Sequence, residues 1–255
     1  MSHDEKESSF ISHLAELRKR LIHSFIFLFI FFIGCYVFAE HLYGFLVEPY
    51  AQAVKDDGLD RRLIFTALQE TFLTYLKVSF FTAFFVTCPF ILMQIWKFIA
   101  PGLYKHEKVA ILPYLVLTPI LFFLGGILVY YLIMPLAIKF FLSFESTGIS
   151  TGLPIQLEAK VNEYLSLVMK LIFAFGLSFQ LPVVLSLLAR IGVVDAKFLE
   201  ERRKYVVVII FAAAALLTPP DPITQIGLAI PLLILYELSI FSVKIIEKKI
   251  KESNA

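Results

Sequence analysis

An all-α, polytopic membrane fold is what this sequence predicts, and three observations carry the prediction. Apolar residues make up 59% of the 255, with 27 phenylalanines, more than a soluble fold of this size can hide. They are gathered into six runs, most of them long enough to cross a bilayer as a helix. Lysine and arginine then alternate along the chain, crowding the loops expected on one side of the membrane and thinning out on the other.

Residues 1–20 are polar and helix-compatible and are expected to remain in the cytoplasm. The first run, about Leu21 to Ala39, is too long for the apolar core of a cleavable leader, and no small-residue cleavage site follows it, so it is expected to remain as a span. The second run is Phe72 to Ile95, the third Ile111 to Pro135 and the fourth Tyr164 to Leu188. The fifth, Tyr205 to Leu217, has only about 13 residues, roughly 20 Å of helix against a hydrocarbon core of about 30 Å. The sixth, Ile223 to Phe241, contains Pro231, and residues 242–255 form a basic tail. The stiff turn Thr218-Pro219-Pro220-Asp221-Pro222 joins the last two runs, with Asp221 suited to cap the helix that Pro222 opens. So short a hairpin should sink its polar tip below the membrane surface or thin the bilayer around it. No repeat is visible and the loops are short, so the sequence reads as a single domain.

Six spans put both termini on the same side. Of the 23 basic residues, sixteen fall in the segments that would share the cytoplasm with the N-terminus and five in the opposite loops. Lys77 and Lys170 lie within runs, near enough to the outer ends to snorkel outward. Cys35 and Cys88 sit in apolar runs, where thiols are inert packing groups.

Three polar clusters stand out against this background. Glu16 and Arg20 are spaced i,i+4 on a helix, away from the stripe Phe10, Leu14, Leu17 and Leu21, with Arg18 and Lys19 beside them. As a surface ion pair this is worth only a few tenths of a kcal/mol. Phe98 to Lys108 forms a second cluster: Pro101 and Gly102 break the second helix, and Glu107 stands where the next helix dipole favours a carboxylate. Gln180 lies inside the fourth run, where its amide must face protein or water. Pro182 frees the Ser178 carbonyl, and Gly176, one turn earlier, is expected to leave room beside the amide. No phosphate-binding glycine loop, metal-ligand spacing or intramembrane nucleophile is present, so no cofactor and no enzymatic activity are expected.

The blocks His13-Leu14-Ala15-Glu16-Leu17-Arg18-Lys19-Arg20-Leu21, Phe98-Ile99-Ala100-Pro101-Gly102-Leu103-Tyr104-Lys105-His106-Glu107 and Leu217-Thr218-Pro219-Pro220-Asp221 together resemble the signature blocks of the TatC family of twin-arginine translocase proteins. The resemblance covers nearly the whole chain. It implies a receptor in the bacterial cytoplasmic (inner) membrane for folded proteins whose signal peptides carry two adjacent arginines. It also implies a concave cavity facing the bilayer, single-span TatA-like and TatB-like partners in an oligomeric complex, and transport driven by the proton-motive force. Nucleic acid is not among the partners it implies. By the same resemblance Glu16 and Glu107 match the family's arginine-recognising acids, and Arg18, Arg20, Phe98, Pro49 and Asp221 match other sensitive positions. Gln180 matches a polar cavity position where many members carry glutamate. Two guanidinium groups need planar, bidentate carboxylate partners, and two rim acids supply them. The alternative class is a small-solute transporter or channel, against which stands the lack of inverted repeats and paired broken helices.

Overall fold

The computed structural model describes residues 3–55, 62–99, 108–146, 152–153, 155–218 and 222–253, and these form helices joined by short loops, with two isolated bridges among them. Helix α1 is His3–Val37, α2 Ala39–Lys55, α3 Glu70–Ile99 and α4 Lys108–Leu128; a π-helical turn at Val129–Ile133 leads into α5, Met134–Leu142. Helix α6 is Val161–Ser178, α7 Leu181–Arg190, α8 Ala196–Leu217 and α9 Pro222–Ser253. Five stretches are long and apolar enough to cross a membrane: Ala15–Val37, Glu70–Ile95, Pro113–Leu142, Val161–Arg190 and Thr224–Lys249. Dozens of large apolar side chains are exposed along them, among them Phe25, Phe29, Ile30, Ile120 and Ile234. Such surfaces are stable only against lipid, so this is a multi-pass membrane protein.

The chain's contacts fall into two units, residues 1–42 with 75–119 and residues 43–74 with 120–255. In the first, α1 and α3 run antiparallel. Arg20 meets Gln94, Phe27 meets Phe90 with ring centroids 4.5 Å apart, and Ser79 donates to the Cys35 carbonyl at 3.5 Å, so the pairs step in opposite senses along the two helices.

The second unit is the better buried. Its core holds Phe122, Val129, Met134, Leu165, Val168, Leu171, Phe175, Val183 and Leu228, all at most 1% exposed. Gly125 lets α4 press onto α6: a Cβ there would sit 2.7 Å from the Phe175 carbonyl oxygen. Helix α2, which no apolar run announced, carries Pro49 in its interior. Proline has no N–H, so the Phe45 carbonyl four residues back loses its helical donor. The hydroxyl of Tyr130, in the π turn, replaces it at 2.8 Å, and its ring stacks on Phe45 at 4.5 Å. Tyr164 donates to the next carbonyl, Leu46, at 3.2 Å.

Three expectations are revised. The third run is a span with a π turn, whose extra residue precedes Pro135. The fourth is broken at Phe179–Gln180, ahead of Pro182. The last helix runs on past the sixth apolar run, since α9 has 32 residues and continues to Ser253.

Candidate functional site

The polar end of α1 is organised around Arg20. Its Nε and Nη2 donate to a single oxygen of Glu16, Oε1, at 3.1 and 2.6 Å, and its Nη1 donates to Gln94 Oε1 of α3 at 3.0 Å. The guanidinium fork is thereby held on both sides, and it fixes the direction of the carboxylate. Glu16 Oε2 receives no hydrogen bond from any described residue, and the side chain is 37% exposed. A cleft of about 340 Å³ opens here, lined by Glu16, Lys19, Arg20, His23 and Gln94. His23 donates from Nδ1 to the Lys19 carbonyl at 2.6 Å, which ties the ring to the helix backbone. Arg18 is exposed, while Phe98, one turn beyond Gln94 on α3, is half-buried. This rim can offer an oriented carboxylate oxygen to a cation arriving from water. Gln94 is the residue that sequence reasoning missed; the only amide in the last turns of an apolar helix was the available signal.

Glu107 and Asp221 lie outside the described residues. Pro49 is buried, and its role in the structure is the freed carbonyl already described. Gln180 is 5% exposed at the α6–α7 break, within protein as an intramembrane amide must be. The space beside Gly176 is not left for it. The Phe122 ring fills that space, 2.9 Å from where a Cβ would stand.

The α8–α9 hairpin has an unexpected division. The charged first half of α8 is zipped to the second half of α9. Glu247 accepts from the Ala196 N–H at 2.6 Å, Tyr236 donates to the Leu199 carbonyl at 2.7 Å, Glu200 pairs with Lys244, and Arg203 pairs with Glu237 at 2.8 Å. Asp195 caps the same helix start through the Phe198 N–H at 2.6 Å, and Gly192, at φ 74°, turns the chain into it. Exposed ion pairs belong in water, so Arg203 and Glu237 mark a boundary. Beyond it each helix has only about 13 apolar residues, roughly 20 Å. The hairpin is therefore short inside the membrane although α9 is long. On its lipid face α9 stays apolar further, through Leu238, Phe241 and Ile245, which leaves the short wall on the α8 side.

Among the described residues no cluster of His, Cys, Asp or Glu suits a metal ion. These features define a helical, multi-pass membrane protein with a charged cleft at the end of α1 and a shortened final hairpin. Residues 12–231 match the family model for the Sec-independent protein translocase protein, TatC. The Sec-independent protein translocase protein TatC of Magnetococcus marinus is 49% identical over 251 residues, covering 98% of this chain and 89% of the relative. That of Rickettsia prowazekii is 47% identical, covering 94% of each. A crystal structure of the twin-arginine translocase receptor TatC superposes with a TM-score of 0.77 at 38% identity, over 92% of this chain and 99% of the other. The chain belongs to the TatC family and is a membrane subunit of the twin-arginine translocase.

Proposed function

We propose that this protein is the signal-peptide receptor and scaffold of its translocase, set in the bacterial cytoplasmic membrane with both termini in the cytoplasm. The observation that carries the reading is the open oxygen of Glu16, aimed by an arginine that both Glu16 and Gln94 restrain. An incoming guanidinium donates to Glu16 Oε2. Because Arg20 already engages half of that carboxylate, a second acid, Glu107, is needed to bind a second guanidinium. Arg20 is then a positioning residue. Phe98 provides an apolar wall one turn from Gln94, and the exposed Arg18 attracts anionic headgroups. The signal peptide's apolar part follows the lipid-facing side of the spans. TatA-like and TatB-like single-span proteins assemble at the short hairpin near Asp221 and Gln180, and the proton-motive force drives transport. The basic start of α8 and the basic tail of α9 support the orientation.

Photocrosslinking of a twin-arginine signal peptide to membranes carrying the variant Glu16→Gln/Glu107→Gln tests the reading. Crosslinking should fall to the level of a twin-lysine peptide on the unaltered protein, because lysine cannot make the bidentate contact. Equal crosslinking of the arginine peptide to both proteins would refute it.

A further inference from the structure

His23 follows Glu16 by two turns of α1 and Arg20 by one, on the same face, and it lines the cleft they form with Gln94. Its side chain is exposed, and the grip on arginine proposed above makes no use of it. The Lys19 carbonyl can only accept, so the 2.6 Å contact puts a proton on Nδ1. Nε2 is left as the nitrogen that gains a second proton. The imidazolium keeps the Nδ1 proton as well, so the ring holds its tether in either state and only its charge changes.

That charge falls among others. Of the described residues, those that line the cleft supply one carboxylate, Glu16, and two cations, Lys19 and Arg20, while α3 supplies the neutral amide of Gln94. Arg20 already occupies one oxygen of Glu16. A proton on His23 adds a third cation and removes the lone pair of Nε2, the ring's only acceptor. His23 is also the last basic residue of α1 before lipid, since no Asp, Glu, Lys, Arg or His occurs again until Glu40. Water thins out toward such a boundary, and charges act on one another more strongly. Histidine ordinarily changes its charge between about pH 5 and pH 8.

We infer that His23 sets the strength with which the cleft holds a twin-arginine peptide, through its charge. Neutral, it leaves the open oxygen of Glu16 to the incoming guanidinium. Protonated, it repels a pair of guanidinium groups that cannot shed their own charge. Cargo is then held best when the cytoplasm is alkaline, the state in which a proton gradient is available to drive transport. The inference rests on the receptor reading of the Glu16 cleft and adds to it a residue that tunes affinity.

The test is the apparent Kd of a fluorescent twin-arginine signal peptide on the full chain in neutral-detergent micelles, measured at about pH 8 and about pH 6. Wild type should bind about threefold more weakly at the lower pH, the order of one unit charge acting on a guanidinium across several ångströms of water. His23→Gln, neutral at both pH values, and His23→Lys, charged at both, should each lose that pH dependence, with His23→Lys the weaker binder of the two. A pH dependence of wild-type size in His23→Gln would overturn the proposal, and so would equal affinities of His23→Gln and His23→Lys. Glu16→Gln/Glu107→Gln at the higher pH keeps the two readings apart. Full binding by that variant would overturn the receptor reading and this inference with it. Lost binding there, together with a wild type insensitive to pH, would overturn the role of His23 alone.

Discussion

Replacing Tyr130 by phenylalanine isolates one atom's contribution. The ring keeps its stacking on Phe45 at 4.5 Å, and only the hydroxyl that serves the Phe45 carbonyl is lost. A buried carbonyl without a donor costs about 1–3 kcal/mol; this one is partly buried, which places the loss at about 1–2 kcal/mol. At about 2–4 °C per kcal/mol for a chain of this size, the melting temperature in detergent should drop by roughly 2–8 °C. Glu48 neighbours the same hydroxyl, so the single variant alone does not say which contact mattered. Pro49→Ala separates them, because an alanine N–H supplies the helical donor that Phe45 lacks. Tyr130→Phe should therefore cost at least about 1 kcal/mol less in the Pro49→Ala background than alone. Scanning fluorimetry of the four proteins gives the cycle. Equal losses in both backgrounds would show that the freed carbonyl is not what Tyr130 serves.

Gly125→Ala should lower the melting temperature by several degrees, the effect of about 1–3 kcal/mol of overpacking, because the new Cβ meets backbone at Phe175; Gly34→Ala, with nothing within 4 Å, should not. Glu247→Ala removes the acceptor of the Ala196 N–H and should cost about 0.5–2 kcal/mol, seen as faster amide exchange in the first turn of α8. Glu200 is held below the usual carboxylate range by its hydrogen bond from Lys244 and by that residue's charge. Its folded pKa is depressed, so the stabilisation is complete above about pH 4.3 and is lost as pH falls below it; the melting temperatures of wild type and Glu200→Gln should converge on acidification. Lengthening α8 by one Leu/Ala turn after Phe211 should cut transport in membrane vesicles while peptide crosslinking persists; normal export would count against the short hairpin as a working part.

Composition alone settled the solvent of this protein. Runs such as Leu21 to Ala39 cannot be kept from lipid, and the crowding of lysine and arginine into alternate loops predicted the topology. The i,i+4 spacing of Glu16 and Arg20 also sufficed for their ion pair, since helical geometry brings those side chains together whatever surrounds them. Tertiary structure decided what local periodicity does not contain. Gln94 is distant in sequence and reaches Arg20 only because α1 and α3 pack antiparallel. The carbonyl that Pro49 frees could be foreseen, but Tyr130 as its donor could not, because a π turn sets where that side chain points. The water boundary on α9 lies at Glu237, in the middle of a hydropathy window that reads as an uninterrupted span. It falls there because Arg203 on the neighbouring helix holds the carboxylate. Hydropathy sums a helix over all its faces, and where lipid stops depends on which face a charged partner occupies.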